Sequence, residues 1–245
     1  MSVCKNKKEL RAPVFEVGPK LYAYGKRALE IAQAADQACE RYQVSVIFTA
    51  QYTDIQMIAN KTNHIMVFAQ HMDYLYPGRG VGAVLPEALK EAGAEGVMLN
   101  HAECPMDIET IRKCVARAKE VGLYTMVCAE NIEAALCVAE MEPDIILYEE
   151  PDMIEAKEQE HHHTEEITAV NDIIAGINPR IIVLHGAGIH DEKDIYRIVR
   201  AGADATGSTS GIMKSEDPCR MTEKMIRAVS DAWSDRAAGE QSAAG

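Results

Sequence analysis

The amino-acid sequence predicts a single α/β domain folded as a closed (β/α)8 barrel. Short apolar runs rich in valine and isoleucine alternate with amphipathic helical patterns, and this pair occurs eight times in 245 residues. Such runs are typical of strands that are covered on both faces, as in a parallel sheet. Eight strand–helix pairs in about 250 residues are what a closed barrel requires. An open doubly wound sheet is the alternative, but it seldom needs eight pairs.

Each predicted strand is a short apolar segment that a helical pattern follows. The segments are VFEVG from Val14, VSVIFTA from Val44, IMVFAQ from Ile65, GVMLNHA from Gly96, YTMVCA from Tyr124, DIILYEE from Asp144, RIIVLHG from Arg180 and ADATGS from Ala203. The first predicted helix runs from about Tyr24 to Tyr42. Asp107 is a candidate N-cap for the helix after the fourth strand, because an apolar stripe at helical spacing follows it.

The domain is expected to span residues 1–238, and the small and polar segment 239–245 is expected to be a disordered tail. Seven scattered cysteines are typical of reduced thiols in the cytosol. No run approaches the roughly 18 apolar residues of a transmembrane helix. The N-terminal MSVCKNKKEL lacks the apolar stretch of a secretory signal. We therefore expect a cytoplasmic protein.

The composition is acidic. Lys and Arg number 25 against 38 Asp and Glu, which gives a formal net charge of −13. Such a field repels phosphate backbones and anionic lipid, so neither nucleic acid nor a membrane is an expected partner. An anionic ligand would have to be captured by donors in its immediate surroundings.

Polar side chains and glycine turns follow the predicted strands. They are Lys20 after the first, Gln70 and His71 after the third, Asn100, His101 and Glu103 after the fourth, Cys128 at the end of the fifth, Glu149 and Glu150 after the sixth, and GAG and GSTSG after the last two. Barrel enzymes place their active sites at these carboxyl ends of the strands. A lysine, a histidine and a glutamate that face two turns of small residues indicate acid–base chemistry on a phosphate-bearing substrate.

Six segments in this order resemble the triosephosphate isomerase family over nearly the whole chain, and most closely its compact archaeal form and the related erythrulose phosphate isomerases. They are VGPK, VFAQHMD, VMLNHAE, YEEPDMI, VLHGAGI and ADATGSTSGIMKSEDP. Each segment alone is a weak signal, but the six in order on an eightfold pattern are a strong one. The resemblance implies the TIM-barrel fold and an aldose–ketose isomerase of short sugar phosphates that needs no metal and no cofactor.

The resemblance also implies a role for each strand-end residue. Glu149 is similar to the family's proton-shuttling carboxylate, and the period-two geometry of a strand agrees, because Glu149 shares a face with Leu147 while Glu150 points the other way. His101 is similar to the family's neutral electrophilic histidine. Lys20 would supply a fixed positive charge beside the developing enediolate.

The remaining residues are expected to bind phosphate or to support the site. Phosphate would lie on backbone N–H groups near Gly186, Gly188, Thr209 and Ser210, with a helix N-terminus behind them and Ile154 in the lid. The residues expected to support the catalytic groups are Asn100, Glu103 and Gln70. Cys128 is interpreted as core packing. His161, His162 and His163 are interpreted as a solvated loop, because consecutive residues on regular structure cannot all face one metal ion.

Two departures from the family pattern leave the substrate open. The family's lid sequence Ile-Gly-Thr-Gly is replaced by Ile154-Glu155-Ala156-Lys157, and Gly18 stands where the family has asparagine. Loss of that side chain is expected to leave room for a bulkier substrate, so triose phosphate and erythrulose phosphate are both candidates. A non-catalytic sugar-phosphate binding or regulatory protein is the alternative function. The segment MDYLYPGRGVG from Met72 resembles a loop that reaches a partner subunit, which implies a homodimer or a homotetramer.

Overall fold

The structure is a computed structural model, and it describes residues 8–149, 162–186 and 188–243. The strands are β1 Val14–Val17, β2 Ser45–Ala50, β3 Met66–Ala69, β4 Gly96–Leu99, β5 Tyr124–Ala129, β6 Ile145–Tyr148, β7 Ile182–His185 and β8 Ala205–Ser208. The helices of the described residues are α1 Gly25–Tyr42, α2 Ile55–Lys61, α3 Pro86–Glu91, α4 Ile108–Val121, α5 Ile132–Ala139, α6 His162–Ile177, α7 Glu192–Arg200, α8 Ser210–Met213 and α9 Pro218–Ala243.

The eight strands form one closed barrel in chain order. Every neighbouring pair is parallel, and β8 closes the barrel by pairing with β1, with Val14 opposite Ala205 and Val17 opposite Ser208. The predicted (β/α)8 barrel is therefore confirmed and the open doubly wound sheet is excluded. Because all strands run the same way, their carboxyl ends lie at one rim of the barrel.

The side chains of the strands divide between two apolar layers because successive residues of a strand point to opposite faces. One layer fills the barrel interior and consists of Val14, Ile47, Met66, Phe68, Met98, Met126, Cys128, Ile145, Leu147, Leu184 and Ala205. The other layer lies between the strands and the helices and contains alternate strand residues such as Phe15, Ile146 and Tyr148. Cys128 is 7% exposed in the inner layer, as the core-packing interpretation expects.

The helix boundaries follow local signals in the sequence. Helix α1 begins at Gly25, one residue after the predicted start, and ends at Tyr42 as predicted. The predicted cap of α4 is confirmed, because the Asp107 side chain accepts a hydrogen bond from the N–H of Thr110. Gly122 ends the same helix in the left-handed conformation with φ 74°.

The C-terminal prediction was wrong in its boundary. Helix α9 continues to Ala243, through most of the segment for which the sequence predicted disorder. Alanine, glutamate and glutamine have high helix propensity, so a polar composition there does not by itself end the helix. None of the helices described in the structure is long and apolar enough to cross a membrane.

Candidate active site

A cavity of about 510 Å³ opens at the rim formed by the carboxyl ends of the strands. Nearly all of the predicted site residues line it: Lys20, Gln70, His101, Glu103, Glu149, Gly186, Gly188, Thr209 and Ser210. These residues come from six different strand ends, so closure of the barrel is what brings them together. The cavity is concave and combines apolar walls with a few convergent polar groups, which is typical of a small-molecule site.

Glu149 lies at the end of β6 on the face that the strand alternation predicts. Leu147 and Glu149 both line the cavity, whereas Tyr148 packs in the outer layer. A Cβ atom added at Gly186 would lie 2.6 Å from Oε1 of Glu149. The Glu149 carboxylate therefore occupies space that is free only because residue 186 is a glycine. Burial raises the pKa of Glu149; Lys20 opposes this shift and Glu103 adds to it.

His101 is half-buried and its tautomer follows from one hydrogen bond. The backbone N–H of Glu103 donates to Nδ1 of His101 at 3.0 Å, so Nδ1 is the acceptor and the ring proton resides on Nε2. Burial lowers the pKa of His101, Lys20 lowers it further, and Glu103 acts in the opposite direction. The imidazole is therefore a neutral hydrogen-bond donor.

Lys20 is held in an unusual backbone conformation with φ 45°. Its carbonyl oxygen accepts hydrogen bonds from Nε2 of Gln51 at 3.1 Å and from Nε2 of Gln70 at 3.2 Å. Its Nζ donates to Oε1 of Glu103 at 2.9 Å. The predicted supporting residues Gln70 and Glu103 thus hold the main chain and the charged end of this lysine.

Asn100 supports the site from outside the cavity. Its backbone is left-handed with φ 58°, a conformation that asparagine tolerates better than most residues. Its Nδ2 donates to the carbonyl of Cys128 at 3.0 Å, and its Oδ1 accepts from the N–H of Met106 at 2.9 Å. These bonds join the ends of β4 and β5 and fix the turn that carries His101.

The phosphate-binding prediction places donors on two turns at the cavity wall. Gly188 has φ 71°, which favours glycine, and Thr209 precedes the first residue of α8 at Ser210. The first N–H groups of a helix have no partner within the helix, so they can face an anion. Helix α8 has only four residues, so its free N–H groups matter here and its macrodipole is small.

The expectation about Gly18 was wrong in its consequence. A Cβ atom at Gly18 would lie 2.9 Å from Oε1 of Glu16 and 2.9 Å from Oγ1 of Thr209. The space that a side chain would take at position 18 is therefore already occupied, and it is not free for a larger substrate.

Glu16 itself lines the cavity and was missed in the sequence analysis. The strand pattern contained a signal, because Glu16 is two residues after Val14 and therefore lies on the same inward face of β1.

Several expectations concern residues outside the described ranges. Ile154, Glu155, Ala156, Lys157, Glu150 and His161 are among them. The backbone of His162 and His163 forms the start of α6, so these two histidines are helical and the solvated-loop interpretation was wrong for them. Within the described residues there is no group of three or more His, Cys, Asp or Glu side chains that could hold a metal ion.

Comparison with known proteins places the chain in one family. A family model described as triosephosphate isomerase matches residues 17–227. The triosephosphate isomerase of Sulfurisphaera tokodaii is 34% identical over 223 residues, which cover 89% of this chain and 95% of that protein. The triosephosphate isomerase of Methanobacterium bryantii is 35% identical over 199 residues, covering 81% and 88%. The crystal structure of triosephosphate isomerase from Bartonella henselae shares the fold, with a TM-score of 0.74 and 15% identity over 89% of this chain and 98% of that one. The chain therefore belongs to the triosephosphate isomerase family.

Proposed function

We propose that the protein is a cofactor-free aldose–ketose isomerase of a short sugar phosphate. One observation carries the proposal: Glu149, with its raised pKa, and His101, with its proton on Nε2, line the same cavity as Lys20 and the turns at Gly188 and Ser210. A base, an electrophile and an anion site are the groups that enediol chemistry needs.

In the proposed reaction Glu149 removes a proton from the carbon next to the substrate carbonyl. The electron pair of that C–H bond moves toward the carbonyl oxygen and forms an enediol(ate). His101 stabilises this oxygen by donating from Nε2. A proton then passes from the neighbouring hydroxyl to the former carbonyl oxygen, and Glu149 returns its own proton to the former carbonyl carbon, so the reaction consumes nothing and the aldose and ketose differ only in the position of the carbonyl.

Lys20 and the glycine turns supply the local positive potential that an anionic substrate needs in an acidic protein. The protein carries a net charge of −13, so a sugar phosphate must be held against the overall field. The Lys20 ammonium and the backbone N–H groups near Gly188, Thr209 and Ser210 supply local positive potential. In this structure Lys20 is paired with the exposed carboxylate of Glu103, so we propose that a bound substrate competes with Glu103 for this cation.

We propose triose phosphate as the preferred substrate, and an erythrulose phosphate is the second candidate. The argument for a four-carbon substrate depended on free space at Gly18, and Glu16 and Thr209 occupy that space. The relatives from Sulfurisphaera tokodaii and Methanobacterium bryantii are named triosephosphate isomerases, which favours the three-carbon substrate. The purified protein should be offered glyceraldehyde 3-phosphate, dihydroxyacetone phosphate and both erythrulose phosphates in coupled assays.

Solvent deuterium exchange tests the chemistry even if turnover is slow. Incorporation of deuterium at the carbon next to the carbonyl of a ketose phosphate reports proton abstraction directly. The alternative function, a non-catalytic binding protein, predicts that the sugar phosphate binds in calorimetry while no deuterium is incorporated. That result would overturn the proposed isomerase.

We also propose a cytoplasmic homo-oligomer in which residues 72–82 contact a partner. This loop exposes Tyr74 at 38%, Tyr76 at 62% and Val81 fully, and aromatic side chains are enriched at protein–protein interfaces. Sedimentation velocity should show a dimer or a tetramer, and a Tyr76→Glu variant should shift the distribution toward smaller species. A wild-type monomer at micromolar concentration would contradict the assembly.

A further inference from the structure

Glu16 places a second carboxyl group in the barrel interior, beneath the rim formed by the carboxyl ends of the strands. It is 5% exposed and lines the cavity that contains Glu149. Its neighbours in the register are Ile47 on β2 and Gly207 on β8. Apolar side chains make up the layer around it, so an ionised carboxylate would be poorly solvated at this depth.

Two glycines make room for this side chain. A Cβ atom at Gly207 would lie 2.9 Å from Cβ and 3.0 Å from Oε2 of Glu16. A Cβ atom at Gly18 would lie 2.9 Å from Oε1 of Glu16 and equally close to Oγ1 of Thr209. The carboxyl group therefore occupies the place where a side chain at position 18 would begin, and it adjoins a residue of the proposed phosphate site.

The carboxyl group of Glu16 has one hydrogen bond, to Oε1, and its second oxygen, Oε2, has no partner among the described residues. Oγ1 of Thr49 donates to Oε1 of Glu16 at 2.6 Å, and among the described residues no other hydrogen bond reaches this carboxyl group. Oε2 faces Gly18 and Gly207, which have no side chain to offer it. No donor in the part of the chain that the structure describes occupies Oε2, so this oxygen is left for a bound ligand.

We propose that Glu16 binds the sugar phosphate in its protonated form and donates a hydrogen bond from Oε2 to an oxygen of the bound ligand. This inference rests on the proposed function for the identity of the ligand. It gives the site a donor where glycine at position 18 supplies none. A neutral acid also avoids placing a second negative charge beneath Glu149 and an anionic substrate.

The surroundings of Glu16 keep its proton bound to a higher pH than on an ordinary glutamate. Burial raises the pKa of Glu16 to about 7, Glu149 adds to the shift, and the Thr49 hydrogen bond and Lys20 oppose it. The charged groups that act on Glu16 are Lys20, beyond the end of its own strand, and Glu149, directly after β6. The other titratable groups around this cavity are Tyr22 after β1, His101, Glu103 and Cys104 after β4, Cys128 on β5 and His190 after β7.

The proposal predicts how binding depends on pH. Above about pH 7 the acid loses its proton, so the donor disappears and a negative charge appears beside the anion. If only the protonated form binds, affinity should fall roughly 20-fold between pH 6.5 and 8.5 from this group alone. Glu16→Gln keeps a donor and an acceptor of the same shape but cannot ionise, so this part of the pH dependence should vanish.

The first experiment measures the acid directly. The protein is labelled with ¹³C at glutamate side-chain carboxyls and titrated by NMR, and Glu16→Gln assigns the signal. We expect one carboxyl signal whose titration midpoint lies near pH 7, and this signal should be absent from the spectrum of Glu16→Gln. Thr49→Val removes the bond that favours ionisation, so it should move this titration to higher pH. A Glu16 signal that titrates like an ordinary glutamate, near pH 4.5, would overturn the proposal.

The second experiment measures binding without turnover. Calorimetry with 2-phosphoglycolate, a phosphate–carboxylate mimic of the enediolate, is carried out from pH 6.5 to 8.5 on wild type and Glu16→Gln. The ratio of the two affinities cancels the ionisation of the ligand and should change about 20-fold across this range. A constant ratio would overturn the role of Glu16 as a donor. Because neither experiment requires isomerisation, failure of this inference can be distinguished from failure of the proposed activity.

Discussion

Burial acts on the two central residues of the site in opposite directions. It raises the pKa of Glu149 and lowers the pKa of His101, because in each case the less charged form is favoured away from water. A carboxylate with a raised pKa is a stronger base, and a neutral imidazole can donate without carrying charge. One physical cause therefore prepares both halves of the proposed proton transfer.

The assignment of the base can be tested by comparing two adjacent glutamates. Glu149→Gln should abolish deuterium exchange, whereas Glu150→Gln should leave most of it, because the period-two pattern of the sequence predicts opposite faces for the two side chains. Glu149→Asp should lower the rate roughly 10²-fold, because the base is withdrawn by about 1 Å. If Glu150→Gln proves the more damaging change, the assignment along the sixth strand is one residue out of register.

Glu103 should set the acidic limit of activity through its charge. It raises the pKa of Glu149 and also holds Lys20 in an ion pair. In Glu103→Gln the carboxylate of Glu149 should therefore stay ionised to lower pH, and the acidic limb of kcat/KM should move down. A pH–rate profile of both proteins checks this. An acidic limb that moves up, or stays in place, would mean that Glu103 does not act on the base.

The sequence predicted where the motif residues lie, but it did not reveal the interior residue Glu16. Glu149, His101 and Lys20 were predicted because their neighbours match family motifs, and the structure brings all three to one cavity. Glu16 lacks such a motif, and one charged residue in an apolar strand is ordinary in sequence. Whether glycine at position 18 leaves free space depends on which neighbouring side chain fills it, and the sequence does not show that Glu16 and Thr209 do so.

At the level of elements, a glycine at a strand end can shape the site because its missing side chain leaves room for a neighbouring catalytic group. Gly186 follows β7 and was predicted to bind phosphate, but its closest side-chain neighbour is Glu149, the proposed base. This residue lets the Glu149 carboxylate lie across the end of the adjacent strand. The prediction of phosphate binding at Gly186 stays a prediction.

Gly186→Ala should therefore damage catalysis more than stability. The added methyl group would lie 2.6 Å from Oε1 of Glu149, so the flexible carboxylate must move. Displacement of about 1 Å should lower kcat by roughly 10²-fold, while the melting temperature changes little. Gly176→Ala is the matched control, because its added methyl group would meet nothing within 4 Å on helix α6. Equal activity of the two variants would contradict this role for Gly186.

Strand and helix positions were predictable because the barrel repeats one local pattern eight times. Each strand is apolar on both faces, and this pattern survives in sequence without any knowledge of the partners. Ends of elements depend on finer balances. Helix α9 continued to Ala243 because its last residues favour helix, although their polarity resembles that of a disordered tail.

At the level of the whole molecule, the site depends on closure between the two ends of the chain. Lys20 follows β1 and Ser210 follows β8, and these strands pair only in the closed barrel. The proposed cation and the proposed phosphate turn are therefore separated by most of the sequence and joined by one strand pair. Nothing in local sequence fixes their distance, so only the closed fold relates them.

The buried acid should also appear in the global stability of the protein. Glu16 has a pKa of about 7 in the folded state against 4.5 for an ordinary glutamate. Between these values the folded protein holds a proton that the unfolded chain has released. The free energy of unfolding from this group is therefore highest below pH 4.5 and falls as pH rises toward 7.

Glu16→Gln removes this dependence, because glutamine does not ionise. The difference in unfolding free energy between Glu16→Gln and wild type should grow in favour of the variant by on the order of 3 kcal/mol from pH 4 to pH 8. Urea denaturation at fixed protein concentration measures it, and the exposed Glu130→Gln serves as the matched control. If the difference shrinks with rising pH, Glu16 is ionised in the folded protein, and the neutral donor beneath the catalytic rim does not exist.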